Sequence, residues 1–210
     1  MKNLVIIGAG SYGREIYNLA LECKGYGTDF IIKGFVDNLY EEIGYEGYPV
    51  ILGKVEEYEP KEDDVFICAL MDVDIKKKYI NLITGKGGTF INLIHKTATI
   101  WKNSTLGTGC IICDNVHVSC DINIGNFVTI QPQSVLGHDV IVKDFCHLNS
   151  FCFLGGKVIV NEMVTINTGA IIYPGIEIGS HAIIGTGAVV LRKVKENVTM
   201  FGNPAKILKI

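Results

Sequence analysis

Residues 112–154 read ICDNVHVSCDINIGNFVTIQPQSVLGHDVIVKDFCHLNSFCFL, and every sixth residue is aliphatic: Ile112, Val118, Ile124, Ile130, Leu136, Val142, Leu148 and Leu154. The register runs back without insertion through Leu106 and Ile100 to Ile94, and forward through Val160, Ile166, Ile172, Ile178 and Ile184 to Val190. The fourth residue after each is small or aliphatic, from Ala98, Ser104 and Cys110 to Val194. An α-helix repeats near 3.6 residues and an open strand at 2, so a period of six is neither. It suits a short strand followed by a tight turn. Three such units close a triangular coil, and coils stack through parallel backbone ladders about 4.8 Å apart. Gly107, Gly125, Gly137, Gly155, Gly179 and Gly185 follow the aliphatic position and are expected to lead into the bends.

This hexapeptide signature resembles the left-handed parallel β-helix family. The handedness comes from the resemblance, because the general crossover rule favours the right hand. Residues 1–93 follow another pattern. LVIIGAG is a strand, and Gly13–Cys23 a helix with Ile16, Leu19, Ala20 and Cys23 at helical spacing. IIKGFVD and DDVFICAL are further strands, and a helix follows near Ile75–Thr84. The expected fold is therefore an α/β N-terminal βαβ domain, half-Rossmann-like, over 1–93. An all-β left-handed parallel β-helix follows over 94–195, and a C-terminal cap over 196–210.

The 210 residues include 48% hydrophobic and 20% charged residues, enough for a packed core and too little charge for disorder. A net charge of −3 argues against nucleic acid as a partner, since polyanion binders carry a basic excess. No apolar run reaches membrane-spanning length, and neither a signal peptide nor a membrane segment is legible. Seven cysteines, an odd number, do not suggest a disulfide framework; a cytoplasmic protein is expected.

Gly8-Ala9-Gly10-Ser11-Tyr12-Gly13 fits G-x-G-x-x-G between a strand and a helix, with Asp37 ending the second strand. Read literally it binds NAD, but the domain supplies half a Rossmann sheet. Glycines that admit a diphosphate at a helix N-terminus suit a nucleotide-linked metabolite better.

Cys110, Cys146 and Cys152 stand where a small inward hydrophobe is wanted, and Cys113 and Cys120 have no recognised zinc spacing, so packing is their expected role. His138-Asp139 stands apart. Two and three residues after Leu136, the pair falls at a corner, where a histidine has no packing role. The carboxylate can hold one ring nitrogen and leave the other as a base. Gly156 lies one coil further on the same edge, its unhindered N–H able to face the same pocket. His147 is half a coil from His138, so the two cannot easily meet within one chain but could across two packed side by side. That predicts a site at a subunit interface.

The whole chain resembles the bacterial sugar O- and N-acetyltransferases of the sialic acid O-acetyltransferase family. It is close to those acting on nucleotide-linked 4-amino-4,6-dideoxy sugars. GAGSYGREI, FVDN, FINLIHKTA, the repeat, SVLGHD, FCHLNSFCFLGG and the terminal GNPAK carry the likeness. The resemblance implies a homotrimer with acetyl-CoA as co-substrate between neighbouring helices, no metal, and a sugar nucleotide held by the first domain. It implies that His138 is the general base and Asp139 its orienting acid. His147 would lie near the acetyl group, and the Gly156 N–H would bind the thioester oxygen. Thr168, Gly169 and Thr186 would contact the pantetheine arm, and Gln131 the sugar. Gly10, Ser11, Tyr12 and Asp37 would form the nucleotide site.

Arg192, Lys193, Lys195, Lys206 and Lys209 face only Glu196 among the last 25 residues, a basic end suited to the 3′-phosphate of CoA. Tyr12 replaces the histidine common in such loops. Ala69-Leu70-Met71-Asp72 replaces an A-x-G-x turn. Acetyl transfer to the amine of a nucleotide-linked sugar is the expected reaction, with transfer to a sugar hydroxyl as alternative. A zinc carbonic anhydrase of the gamma type is a more distant one, because no two histidines lie closer than nine residues. A non-catalytic scaffold is the third rival.

Overall fold

The computed structural model describes residues 1–40, 42 and 44–208, in two compact units, Met1–Lys96 and Thr97–Ile210. No helix among the described residues is long and apolar enough to cross a membrane.

In the first unit, β1 (Lys2–Ile7), α1 (Ser11–Leu21), β2 (Phe30–Val36), β3 (Asp64–Cys68), α2 (Val73–Gly85) and β4 (Thr89–Phe90) follow in order. The strands form one parallel sheet in the order β2-β1-β3-β4. Leu4–Ile7 and Phe66–Ile67 are fully buried, as continuous apolar strands covered on both faces must be. The expected helix over Gly13–Cys23 begins earlier, at Ser11, and ends at Leu21; Cys23 instead bridges to His95. Strand β4 was not anticipated, since a two-residue strand has no periodicity to detect. The open edge of β2 is covered by residues 50–52, with Leu52 N–H donating to the Phe35 carbonyl at 2.7 Å.

The second unit consists of two-residue strands spaced by six, stacked in three parallel sheets. Asn123 pairs with Ile141, Thr129 with His147 and Val135 with Phe153, each partner one coil of 18 residues away. It is the stacked-coil architecture anticipated from the repeat, with the left hand that the resemblance implied. The aliphatic positions from Ile112 to Val190 are buried. Ile100 and Leu106 are half-buried, because nothing of the prism lies beneath them. Ser134, buried among hydrophobes, donates to the Asn149 carbonyl at 2.9 Å and accepts from the Cys152 N–H at 3.1 Å. After the last coil Thr199–Phe201 adds a parallel strand to Ile183–Ile184 and folds back antiparallel onto Lys206–Ile207.

The corners differ from expectation. Every sixth residue from Asn103 to Gly187 is left-handed, with φ between 54° and 73°, and most are not glycine: Phe127, Gln133, Phe145, Lys157 and Met163 all adopt it. The glycines after the aliphatic positions have a different task. A Cβ on Gly107 would stand 2.7 Å from the Gly125 backbone, and one on Gly137 would stand 2.7 Å from the Gly156 nitrogen. These positions admit close stacking of coils; the left-handed turns come two residues later.

Candidate active site

Leu136 is fully buried and fixes the rung, so the next residues must turn the corner. Asp139 takes the left-handed turn position, φ 59°, which Asp tolerates better than most residues. That geometry brings its Oδ2 back to His138 Nδ1 at 2.7 Å. Both side chains remain about half exposed. One coil above, a Cβ on Gly156 would lie 2.5 Å from His138 Nε2. The imidazole thus lies against bare backbone that only glycine allows. The Gly156 N–H has no partner among the described residues, while the following amide, of Lys157, donates to the His138 carbonyl at 2.8 Å. A ring nitrogen oriented by a carboxylate, beside an uncommitted N–H, can take a proton from a nucleophile and bind a developing oxyanion.

A second edge of the prism carries other expected residues. Gln131 accepts from the Ser150 hydroxyl at 3.3 Å. Above it, Gly169 (φ 72°) donates to the Ser150 carbonyl at 3.0 Å, and Gly187 to Thr168 at 2.9 Å, so Thr168 and Thr186 stand exposed one above the other. His147 lies on the face leading into this edge, paired in register with Thr129 and Thr165 and only 4% exposed. Within one chain the two histidines are on separate edges. His147 is packed away rather than presented, so it can wall a pocket but not shuttle protons to solvent.

Lys206 lies in the terminal hairpin and, with Leu191, Arg192, Met200 and Pro204, lines a cleft of about 290 Å³. Arg192 stands three coils above His138 on the same edge, about 14 Å up the stack.

In the first unit, Gly8 (φ 103°) makes the turn after β1. A Cβ on Gly13 would stand 2.0 Å from the Gly8 carbonyl oxygen, so the third glycine permits helix and loop to touch. Gly10 is the N-cap of α1 without a side-chain cap, and the first turn holds no acidic residue. A helix N-terminus of this kind, followed by Ser11 and the half-buried Tyr12, is electrostatically open to an anion. Asp37 is buried and already engaged: Oδ2 accepts from the Ala9 N–H at 2.6 Å, and Oδ1 from Leu39 and Tyr40 at 2.7 and 3.2 Å. Its carboxylate braces the glycine loop.

The departures at 69–72 have structural uses. Leu70 packs onto Gly8, and Asp72 caps α2, accepting from the Ile75 N–H at 2.9 Å. A cavity of about 180 Å³ opens beside Asp37, lined by Gly8, Leu39, Leu70, Ile75 and Tyr79. The sequence did not reveal Tyr40, whose ring lies over Gly10, or Tyr79, because neither falls in a motif; both arrive by long-range packing.

All seven cysteines are free thiols. Burial pushes Cys146 up to about 12 and Cys152 up to about 11, which makes them packing residues rather than nucleophiles.

Residues 3–83 match the PglD N-terminal domain family. The chain is 30% identical over 145 residues to GDP-perosamine N-acetyltransferase of Escherichia coli O157:H7, a match that spans 67% of this chain and 64% of that protein. It superposes over its full length on perosamine N-acetyltransferase from Caulobacter crescentus, solved as a histidine-to-asparagine variant with CoA and GDP-perosamine. That match has a TM-score of 0.90 and 27% identity, and covers 98% of that chain. The acetyltransferase domain of PglB from Neisseria gonorrhoeae matches with a TM-score of 0.91 and 26% identity, over 99% of this chain and 100% of that one. A second structure of that domain holds acetyl coenzyme A. The chain thus shares its first unit with the PglD N-terminal domain family and its whole fold with these hexapeptide-repeat sugar acetyltransferases.

Proposed function

We propose that this protein moves an acetyl group from acetyl-CoA to the amino group of a nucleotide-linked amino sugar, with His138 as general base. The observation that carries the reading is the His138–Asp139 pair lying against the bare backbone of Gly156. The amine nitrogen attacks the thioester carbonyl while His138 Nε2 accepts its proton. The resulting oxyanion is held by the Gly156 N–H; the carbon–sulfur bond then breaks, the amide remains, and CoA thiolate leaves and is protonated. Asp139 keeps the proton of the ring on Nδ1 and offsets the charge that forms. Holding both substrates together removes the entropic cost of a bimolecular aminolysis.

The working unit proposed is a homotrimer. The face joining the two edges carries a stack of Phe153, Ile171 and Val189, and beside them Tyr173 and Leu191. Phe153, Ile171, Tyr173 and Leu191 are each more than 40% exposed. An apolar patch of this extent on a rigid face marks an association site. Three prisms with this face toward a common axis set the His138 edge of one copy beside the neighbour's Gln131–Thr186 edge, with His147 in the adjoining wall. Thr168 and Thr186 then stand about 1.7 and 2.7 coils above His138, along an extended pantetheine arm. Arg192 and Lys206, at the level of the third coil, would meet the 3′-phosphate of CoA. The glycine loop and its cavity in the first unit would hold the nucleotide, with GDP-perosamine, the ligand of the Caulobacter relative, as the first candidate. The cytoplasm, with its acetyl-CoA and reduced thiols, suits a protein of seven free cysteines.

The test is CoA release from acetyl-CoA, followed with a thiol reagent, in the presence of GDP-, UDP- and dTDP-linked 4-amino sugars and their 4-hydroxy counterparts. Product mass rises by one acetyl group with an amino sugar and not with its hydroxy counterpart. Turnover confined to hydroxy sugars would replace the proposal with O-acetylation.

A further inference from the structure

One edge of the prism stacks Asn103, Asp121, Asp139 and Lys157 at its left-handed position, one coil apart, with φ of 62°, 60°, 59° and 63°. Asp121 therefore lies one coil beneath the His138–Asp139 pair. Its own placement is fixed: the Asn103 side-chain amide donates to its Oδ1 at 3.0 Å, and the Asp139 N–H donates to the carbonyl of Cys120 at 3.2 Å, tying the two turns together. No substrate contact is needed to explain these bonds, and an Asn at this turn would satisfy the backbone as well as an Asp. A second carboxylate beneath a histidine is a different matter, because it acts on the ring's charge.

We infer that Asp121 is a positioning residue for the reaction, a second carboxylate that favours the imidazolium formed when His138 takes its proton. This inference rests on His138 being the base. Hydrogen bonds from Asn103 and the Cys120 thiol, and then the charge of His138, hold the Asp121 carboxyl below the usual carboxylate range. Around the ring stand Cys120 and Asp121 from the coil below, with Lys102 beneath them, Asp139 on its own turn, and Gly156 and Lys157 from the coil above. Of these, Asp121 and Asp139 are the carboxylates, and Lys157 stacks over Asp139 rather than over Asp121.

The test is an NMR titration of the His138 imidazole in the full chain without substrate, at low ionic strength, where exposed charges are least screened. In Asp121→Asn the midpoint falls by about 0.3–0.5 pH units, a two- to threefold loss of proton affinity, as expected for a unit charge one coil away in a largely aqueous setting. The acid limb of kcat/KM moves down by the same amount. Asp121→Glu, which keeps the charge, restores the midpoint. An unchanged midpoint in Asp121→Asn, or an equal fall in Asp121→Glu, overturns the inference. The titration uses no acetyl transfer, so its failure is separate from the loss of the base, which is read from turnover of His138→Ala.

Discussion

The imidazole of His138 lies against Gly156 so closely that a single added methyl would stand 2.5 Å from Nε2 and 2.7 Å from Cε1. The catalytic proposal therefore depends on a residue with no side chain. In Gly156→Ala the backbone can be kept, since Gly156 is not in the left-handed region, but the half-exposed ring must swing away. Turnover is expected to fall by roughly a hundredfold, the scale for losing an aligned base or oxyanion donor, with little change in melting temperature. Steady-state kinetics and a thermal melt check both halves.

The basic cleft makes a prediction about binding rather than chemistry. Replacing Arg192 and Lys206 together with Ala removes two charges that would meet a phosphate remote from the reacting carbonyl. KM for acetyl-CoA should rise by roughly tenfold or more with kcat unchanged, as for uniform binding. With dephospho-CoA thioester, which lacks the 3′-phosphate, native protein and variant should give the same KM. A persisting difference would remove the phosphate from the cleft.

Much of this site was legible because the repeat converts sequence separation into height and edge. An offset of 18 put Gly156 over His138, and an offset of 9 put His147 on another edge. What the register could not show was which corner residue turns left-handed, because Phe127 or Met163 gives no local signal for it. The burial of His147 was hidden for a related reason: a strand position fixes which way a side chain points, not what covers it. In the first unit the glycine spacing reads as a loop between a strand and a helix, and the structure gives its three glycines separate tasks: a turn at Gly8, the helix N-cap at Gly10 and a close contact at Gly13. The engaged state of Asp37 was not legible, because its three amide donors come from two loops 28 residues apart at most.

A separate prediction concerns acid stability of the first unit. Burial alone would raise Asp64, but Lys33 at 2.7 Å, Tyr58 at 2.7 Å and the Lys61 N–H at 3.0 Å hold its carboxyl below the usual range. A carboxyl depressed in the folded state adds stability above its unfolded pKa, and that stability is lost as pH falls through the folded value. The denaturation midpoint of this unit should therefore drop below about pH 4. Asp64→Asn should lower the midpoint at pH 7 and flatten its decline in acid. An unaltered acid decline in that variant would mean that other carboxyls govern it.

The most direct measurement is acetyl transfer by His138→Ala, set beside acetyl-CoA affinity by calorimetry and the melting temperature of the same preparation. The account predicts a fall in turnover of roughly 10²–10⁴-fold, the range for removing a general base, with affinity and melting held close to those of the unaltered chain. Turnover preserved within a few-fold would contradict it.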